Sequence, residues 1–178
     1  MLRELKSLSC MAVIIGLDPG SLNFGYGIIE VRGPDIVHIC HGVIQNKASR
    51  SIPDRILKIS DGLREVFESY KPTHAVVERI FLGKNADSAF KLGHVRGVAI
   101  LEAVRAQTTV VEYAAREVKK GISGYGGAEK SQILFIVSRL LGLSDIQQYD
   151  AADALALAIY HSQRLDIATK MSQEDLSF

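Results

Sequence analysis

The chain has 178 residues, 47% of them hydrophobic and 23% charged, with a formal net charge of +1, which suits one soluble domain with its own core. No apolar run approaches the roughly 20 residues of a membrane span, and residues 1–10 lack the apolar stretch of a secretory signal, so a cytoplasmic location is expected. Cys10 and Cys40 are too few for a disulfide framework and lack the pair spacing of a zinc site, while the near-zero charge neither demands nor excludes nucleic acid.

In chain order, the apolar stretch Val13 to Leu17, the breakers Asp18-Pro19-Gly20-Ser21 and the run Phe24 to Val31 predict a strand, a tight turn and a second strand. Gly33-Pro34-Asp35 marks another turn, and the mixed faces of Ile36 to Ile44 predict a third antiparallel strand. Ile52, Ile56, Ile59, Leu63, Val66 and Tyr70 then recur at helical spacing, with Pro53 in the first turn and Pro72 past the end. Ala75 to Glu78 reads as a fourth strand, Ala86 to Arg105 as a second helix carrying Gly93 and Gly97, and Val110 with Val111 as a fifth strand. Further helices are predicted at Tyr113 to Lys120, Ala128 to Leu141 and Tyr149 to Arg164, with a glycine-rich loop over residues 121–127 and a polar tail after Leu165. This order predicts an α/β domain whose five-stranded mixed sheet is flanked by helices.

Four carboxylates stand out. Asp18 ends one apolar strand and Glu78 another, although Asp-Pro-Gly is also ordinary turn chemistry and Glu78 could simply mark a strand reaching solvent. Asp150 and Asp153 lie three apart near a helix start, where capping competes as an explanation. Yet residues Ala151 to Ile159 are otherwise apolar, so that helix is expected to be buried and to draw Asp153 inward. A buried carboxylate needs a partner, and no Lys or Arg lies one turn away on this helix, which favours a divalent cation. Acidic oxygens at two strand ends and a helix start suit Mg²⁺ or Mn²⁺, and two such ions can drive phosphodiester hydrolysis. The histidines offer no rival: His38 and His41 are expected to face opposite sides of their strand, and His161 lies eight residues past Asp153, about 12 Å along the helix.

The block Ile15-Gly16-Leu17-Asp18-Pro19-Gly20-Ser21 followed by Gly25-Tyr26-Gly27 resembles the opening of the RuvC family of Holliday-junction resolvases. Val77-Glu78-Arg79-Ile80-Phe81, residues 84–89, Lys91-Leu92-Gly93 and residues 96–100 resemble its second block, and residues 112–116, 128–132 and 150–156 its later ones, covering residues 11 to 163 in order. The resemblance implies an RNase H-like (retroviral-integrase superfamily) fold over residues 11–164, preceded by an extension over residues 1–10 and followed by a tail over residues 165–178. It implies a crossover junction endodeoxyribonuclease that resolves four-way DNA junctions by paired symmetric nicks in recombination and repair, leaving 5′-phosphate ends. Its four acidic positions fall on Asp18, Glu78, Asp150 and Asp153 as catalytic residues and ligands of two Mg²⁺ (or Mn²⁺) ions, Asp153 being the position that varies among relatives. Phe81 falls on an aromatic position that approaches bases, against the alternative of plain packing, and Lys119 and Lys130 fall on basic positions suited to phosphates. Arg79, Lys84, Lys91 and Arg96 are weaker phosphate candidates. The implied partners are a second copy of the chain, the junction-binding tetramer RuvA and the branch-migration ATPase RuvB.

Two other readings share these features. Asp18-Pro19-Gly20-Ser21 is similar to the phosphate hairpin of actin-like and sugar-kinase ATPases, but those build a cleft from two such domains and this chain is long enough for one. A junction-binding module with structural carboxylates, or a related nuclease acting on RNA, is the other, because fold and metal site do not alone choose a substrate.

Overall fold

The computed structural model describes residues 12–79, 86–144 and 146–174. Three strands come first, β1 (Ala12–Asp18), β2 (Asn23–Arg32) and β3 (Asp35–Gln45), then helix α1 (Ile52–Tyr70) and strand β4 (His74–Arg79). Helix α2 (Ala86–Arg105), strand β5 (Thr109–Ala114) and helices α3 (Ala115–Ser123), α4 (Lys130–Leu141) and α5 (Tyr149–Glu174) complete the order. The strands form one sheet in the order β3-β2-β1-β4-β5, antiparallel over the first three and parallel from β1 through β5. Among the described residues no helix is long and apolar enough to cross a membrane.

Three of the predicted helices differ at an end: α4 begins at Lys130, after its Glu129 cap, and not at Ala128, and α3 runs on through Gly121 to Ser123. Tyr113 belongs to β5 and not to α3, since extended Thr109–Ala114 pairs along β4, and pairing outweighs the weak helical pattern there. The last helix passes Arg164 and runs to Glu174, because residues 165–174 contain neither Gly nor Pro to stop it. Helix α1 starts where the sequence signals it: the Ser51 hydroxyl accepts from the Asp54 N–H, and left-handed Lys71 closes its end.

The histidine expectation fails for a local reason. Ile28 pairs with Cys40 but Ile29 pairs with His38, so Ile39 is an extra, bulged residue on β3. One inserted residue reverses the alternation, and His38 and His41 therefore share a face, with Nε2 of His38 2.8 Å from Nδ1 of His41.

Alternation along β1 and β4 divides the core. Ile15, Leu17, Ala75 and Val77 face α1 and α2, packing with Ile59, Leu63, Phe67, Val95 and Ala99. Ile14, Ile29 and Val76 face α5 and pack with Ala152, Leu155, Ile159, Ile133 and Val137. Helix α5 is buried nearly all round from Ala151 to Ser162, as its composition predicts, and it lies across β1 and β2. Glycines permit this approach. A Cβ on Gly16 would stand 1.8 Å from the Ala154 carbonyl oxygen, one on Gly25 2.1 Å from that of Asp150, and one on Gly27 2.5 Å from Leu155 Cγ. Gly16 and Gly27 are cross-strand partners, and Gly25 pairs with Asp18. The helix backbone thus rests directly on a patch of sheet without side chains.

Candidate active site

The same contact builds the acidic site. Parallel β1 and β4 pair Leu17 with Val77, so the next residues, Asp18 and Glu78, leave adjacent strands at the same end and on the α5 face, their backbones about 5 Å apart. Gly25 stands opposite Asp18 and touches the backbone of Asp150, which seats the first turn of α5 beside Asp18. Asp153 follows one turn later. Both aspartates lie near the positive end of the α5 dipole, which favours carboxylates.

Asp18 keeps part of its surface exposed, but its carboxyl is packed among its neighbours. That burial first, then the charges of Glu78, Asp153 and Asp150, against an opposing effect of Lys130, push its pKa up to about 8. Burial likewise raises the Glu78 pKa, with Asp153 adding to the rise, while a hydrogen bond from Asp18 restrains it. Protonated Asp18 therefore donates to Glu78 at neutral pH. The counter-charge comes from α4, not α5: Lys130 Nζ lies 3.0 Å from Asp153 Oδ2 and 3.7 Å from Asp150 Oδ1. Burial works against this ammonium, but the hydrogen bond and charge of Asp153, with Asp18 and Asp150, outweigh it and raise its pKa. Lys130 is the first residue of α4, after the reciprocal cap of Glu129 and Gln132. Lys119 Nζ donates to the Ala128 carbonyl at 2.9 Å, bracing the glycine-rich loop between α3 and α4.

Asp18, Glu78, Asp153, Lys119 and Lys130 line one cavity of about 170 Å³. Among the described residues no three His, Cys, Asp or Glu side chains form a ready cage for an ion, since Asp18 closes on Glu78 and Lys130 sits against the two helix aspartates. The donor chemistry fits a hard divalent cation nonetheless: every candidate ligand is a carboxylate oxygen, and Lys130 is the cation paired with the helix aspartates of a group that also holds Asp18 and Glu78. A larger cleft of about 550 Å³ lies at the opposite end of the sheet. Buried Glu102 in its wall is already paired with Arg64 and Arg105, so that cleft holds no comparable excess of charge.

The structure brings together all four sequence-predicted carboxylates and both lysines. Phe81 and Lys84 lie outside the described residues. Arg96 is not a free phosphate ligand: it donates to the Glu78 carbonyl at 3.2 Å and pairs with the Glu112 carboxylate, tying β4 to β5 beside the site. Arg79 reaches the Glu112 carbonyl. His161 is buried, bonded through Nδ1 to the Tyr113 hydroxyl at 2.9 Å and held neutral by a pKa lowered to about 4 by burial and His74, which makes it part of the core. Sequence reasoning missed the function of Gly16, Gly25 and Gly27; the available signal was glycine in strands opposite an alanine-rich helix.

Comparison with known proteins agrees with this geometry. Residues 14–161 match the family model described as "Crossover junction endodeoxyribonuclease RuvC". The protein of that name from Bdellovibrio bacteriovorus is 50% identical over 150 residues, covering 84% of this chain and 89% of its own. The T. thermophilus RuvC solved in complex with a Holliday junction substrate is 28% identical and superposes with a TM-score of 0.82, over 89% of this chain and 97% of the other. A yeast mitochondrial Holliday junction resolvase, 12% identical with a TM-score of 0.59 over 83% of this chain and 76% of its own, shares the fold. With its RNase H-like architecture and a family match across nearly the whole sheet and the first half of α5, the chain belongs to the RuvC family of crossover junction endodeoxyribonucleases.

Proposed function

We propose that this chain cuts four-way DNA junctions through Asp18, Glu78, Asp150 and Asp153, in DNA recombination and repair. The observation that carries this assignment is the convergence of all four carboxylates at one end of β1, β4 and α5, beside two lysines. Asp18 and Glu78 would hold divalent cations together with Asp150 and Asp153, Mg²⁺ or Mn²⁺ being the oxygen-preferring choices. Two ions held there would supply an activated water and stabilise charge on the leaving 3′ oxygen. Lys130 would meet a phosphate oxygen at the site, and Lys119, which lines the same cavity and donates to the Ala128 carbonyl, would bring a second positive charge beside it. Phe81 follows directly on the β4 end that carries Glu78 and is proposed to stack on an exposed base.

The chain is further proposed to act as a homodimer making two matched nicks. Exposed Phe90, Gly93, Gly97, Leu101 and Val104 run along the outer face of α2, and no described residue lies within 4 Å of a Cβ placed on either glycine. Among the described residues those glycines serve no packing within the chain; they leave room for a second helix. A twofold dimer matches the approximate twofold symmetry of a four-way junction. RuvA and RuvB are the proposed partners in a cytoplasmic setting, with residues 11–164 as the nuclease domain, residues 1–10 as an extension and residues 165–178 as a polar segment beyond it.

The test is a nicking assay on a four-way junction with Mg²⁺, beside gel shifts without it. Asp18→Asn, Glu78→Gln and Asp150→Asn are expected to cut at least a hundredfold more slowly while binding the junction, with Asp153→Asn milder. Normal cutting by any of the first three would refute the site.

A further inference from the structure

The bulge on β3 creates a second group of ligands that the nuclease reading does not use. His38 pairs with Ile29 and His41 with Gly27. Ile29 packs with α5 and a Cβ on Gly27 would meet Leu155 of α5, so both imidazoles lie on the α5 face. They sit at its open rim, since β3 is the edge strand, and each is half-buried. Their rings are 4.9 Å apart between centroids, and Nε2 of His38 faces Nδ1 of His41 at 2.8 Å.

We propose that His38 and His41 form a two-imidazole site for a transition-metal cation of the zinc class, distinct from the carboxylate site. Two nitrogens bound to one tetrahedral zinc at 2.0–2.1 Å stand about 3.3 Å apart, so the facing atoms need to separate by only about 0.5 Å to admit the ion between them. The proton now shared along that line moves to the outer nitrogen of its own ring, leaving both inner lone pairs for the metal and both rings neutral. Burial and His41 lower the His38 pKa, which keeps that ring unprotonated near pH 7, the state a metal requires. Among the described residues burial and His41 act on His38, and no carboxylate does. The donor set is therefore purely imidazole and selects zinc, copper or nickel over magnesium, with water completing the coordination from the open rim. The carboxylates lie two strands and two residues away, roughly 12 Å, so no ligand is shared and either site can fail without the other.

The experiment is a zinc titration of the whole chain, free of added histidine tags, by calorimetry with Mg²⁺ in excess to occupy the carboxylates. Carbethoxylation of histidines is mapped by mass spectrometry in parallel. One zinc per chain is expected to bind and to protect His38 and His41 from modification. His38→Gln or His41→Gln should each weaken zinc binding at least tenfold, with junction nicking in Mg²⁺ unchanged. Equal modification of His38 and His41 with and without zinc would overturn the proposal, even if a glutamine variant failed to fold. So would zinc binding that survives both substitutions.

Discussion

Asp18→Asn should make the metal-free protein more stable while destroying its activity. The carboxyl of Asp18 is pushed up to about 8 in the fold, against 3.8 for an ordinary aspartate. A raised pKa means that the folded state retains a proton that the unfolded chain has released, so this group favours folding fully below pH 3.8 and the benefit is lost as pH rises towards 8. By pH 7 the difference of 3.2 units corresponds to about 4 kcal/mol at 1.36 kcal/mol per unit. Sharing of the charge with Glu78 and Lys130 brings the net effect to about 2–4 kcal/mol. Asparagine keeps the shape of the protonated acid, can donate to Glu78 as it does, and ionises in neither state. The variant should match the wild type near pH 4 and exceed it by about 2–4 kcal/mol at pH 7, or about 5–15 °C in Tm for a chain of this size. Urea and thermal melts in EDTA between pH 4 and pH 8 measure this. Saturating Mg²⁺ should then narrow the gap by stabilising only the wild type. A stability difference independent of pH, or a destabilised variant at pH 7, would refute the electrostatic account of the site.

Gly16→Ala places a methyl group 1.8 Å from the Ala154 carbonyl oxygen and should cost about 3 kcal/mol or more in urea melts by lifting α5. Its cleavage should fall even at temperatures where circular dichroism shows it folded. Lys119→Ala and Lys130→Ala should each weaken cutting and lower the salt slope of junction binding by about one ion, and an unchanged slope would count against phosphate contact. Gly97→Leu should leave the Tm nearly unaltered, because its side chain meets open space. In sedimentation it should shift the protein to monomer, and on a supercoiled cruciform it should turn linear product into nicked circles.

The elements were legible because their signals are local. Helical spacing from Ile52 to Tyr70 between Pro53 and Pro72, and apolar runs ended by Asp18 and Glu78, need no tertiary knowledge to read. The carboxylates were legible as a set because three apolar segments each carry acid at one end. Asp153 was expected to lack a cationic partner, and that inference considered only its own helix. Lys130 reaches it from α4, across 23 residues of sequence, a contact that packing alone defines. The His38–His41 pair escaped because alternation presumes a regular strand, and nothing in Ile36 to Ile44 marks Ile39 as the extra residue. The glycines of β1 and β2 read as turn or family signals because their purpose lies in the helix that covers them.

That helix also explains how the fold tolerates its own active site. Holding Asp18 buried beside Glu78, Asp153 and Asp150 opposes folding by a few kcal/mol at neutral pH, and α5 brings its two aspartates there by closing on Gly25 and Gly16. The same approach buries Leu155, Leu157 and Ile159 in the core that the sheet, α3 and α4 complete. At about 1.5–3 kcal/mol for each large apolar side chain, those three residues contribute about 5–9 kcal/mol, more than the electrostatic penalty. Moving α5 outward would relieve the carboxylates and forfeit this burial at once, because glycine-to-backbone contact and carboxylate convergence are one geometric event. Selection for a tightly packed α5 is thus also selection for a compressed acidic cluster, and a cation entering it relieves a repulsion that the apolar core already withstands.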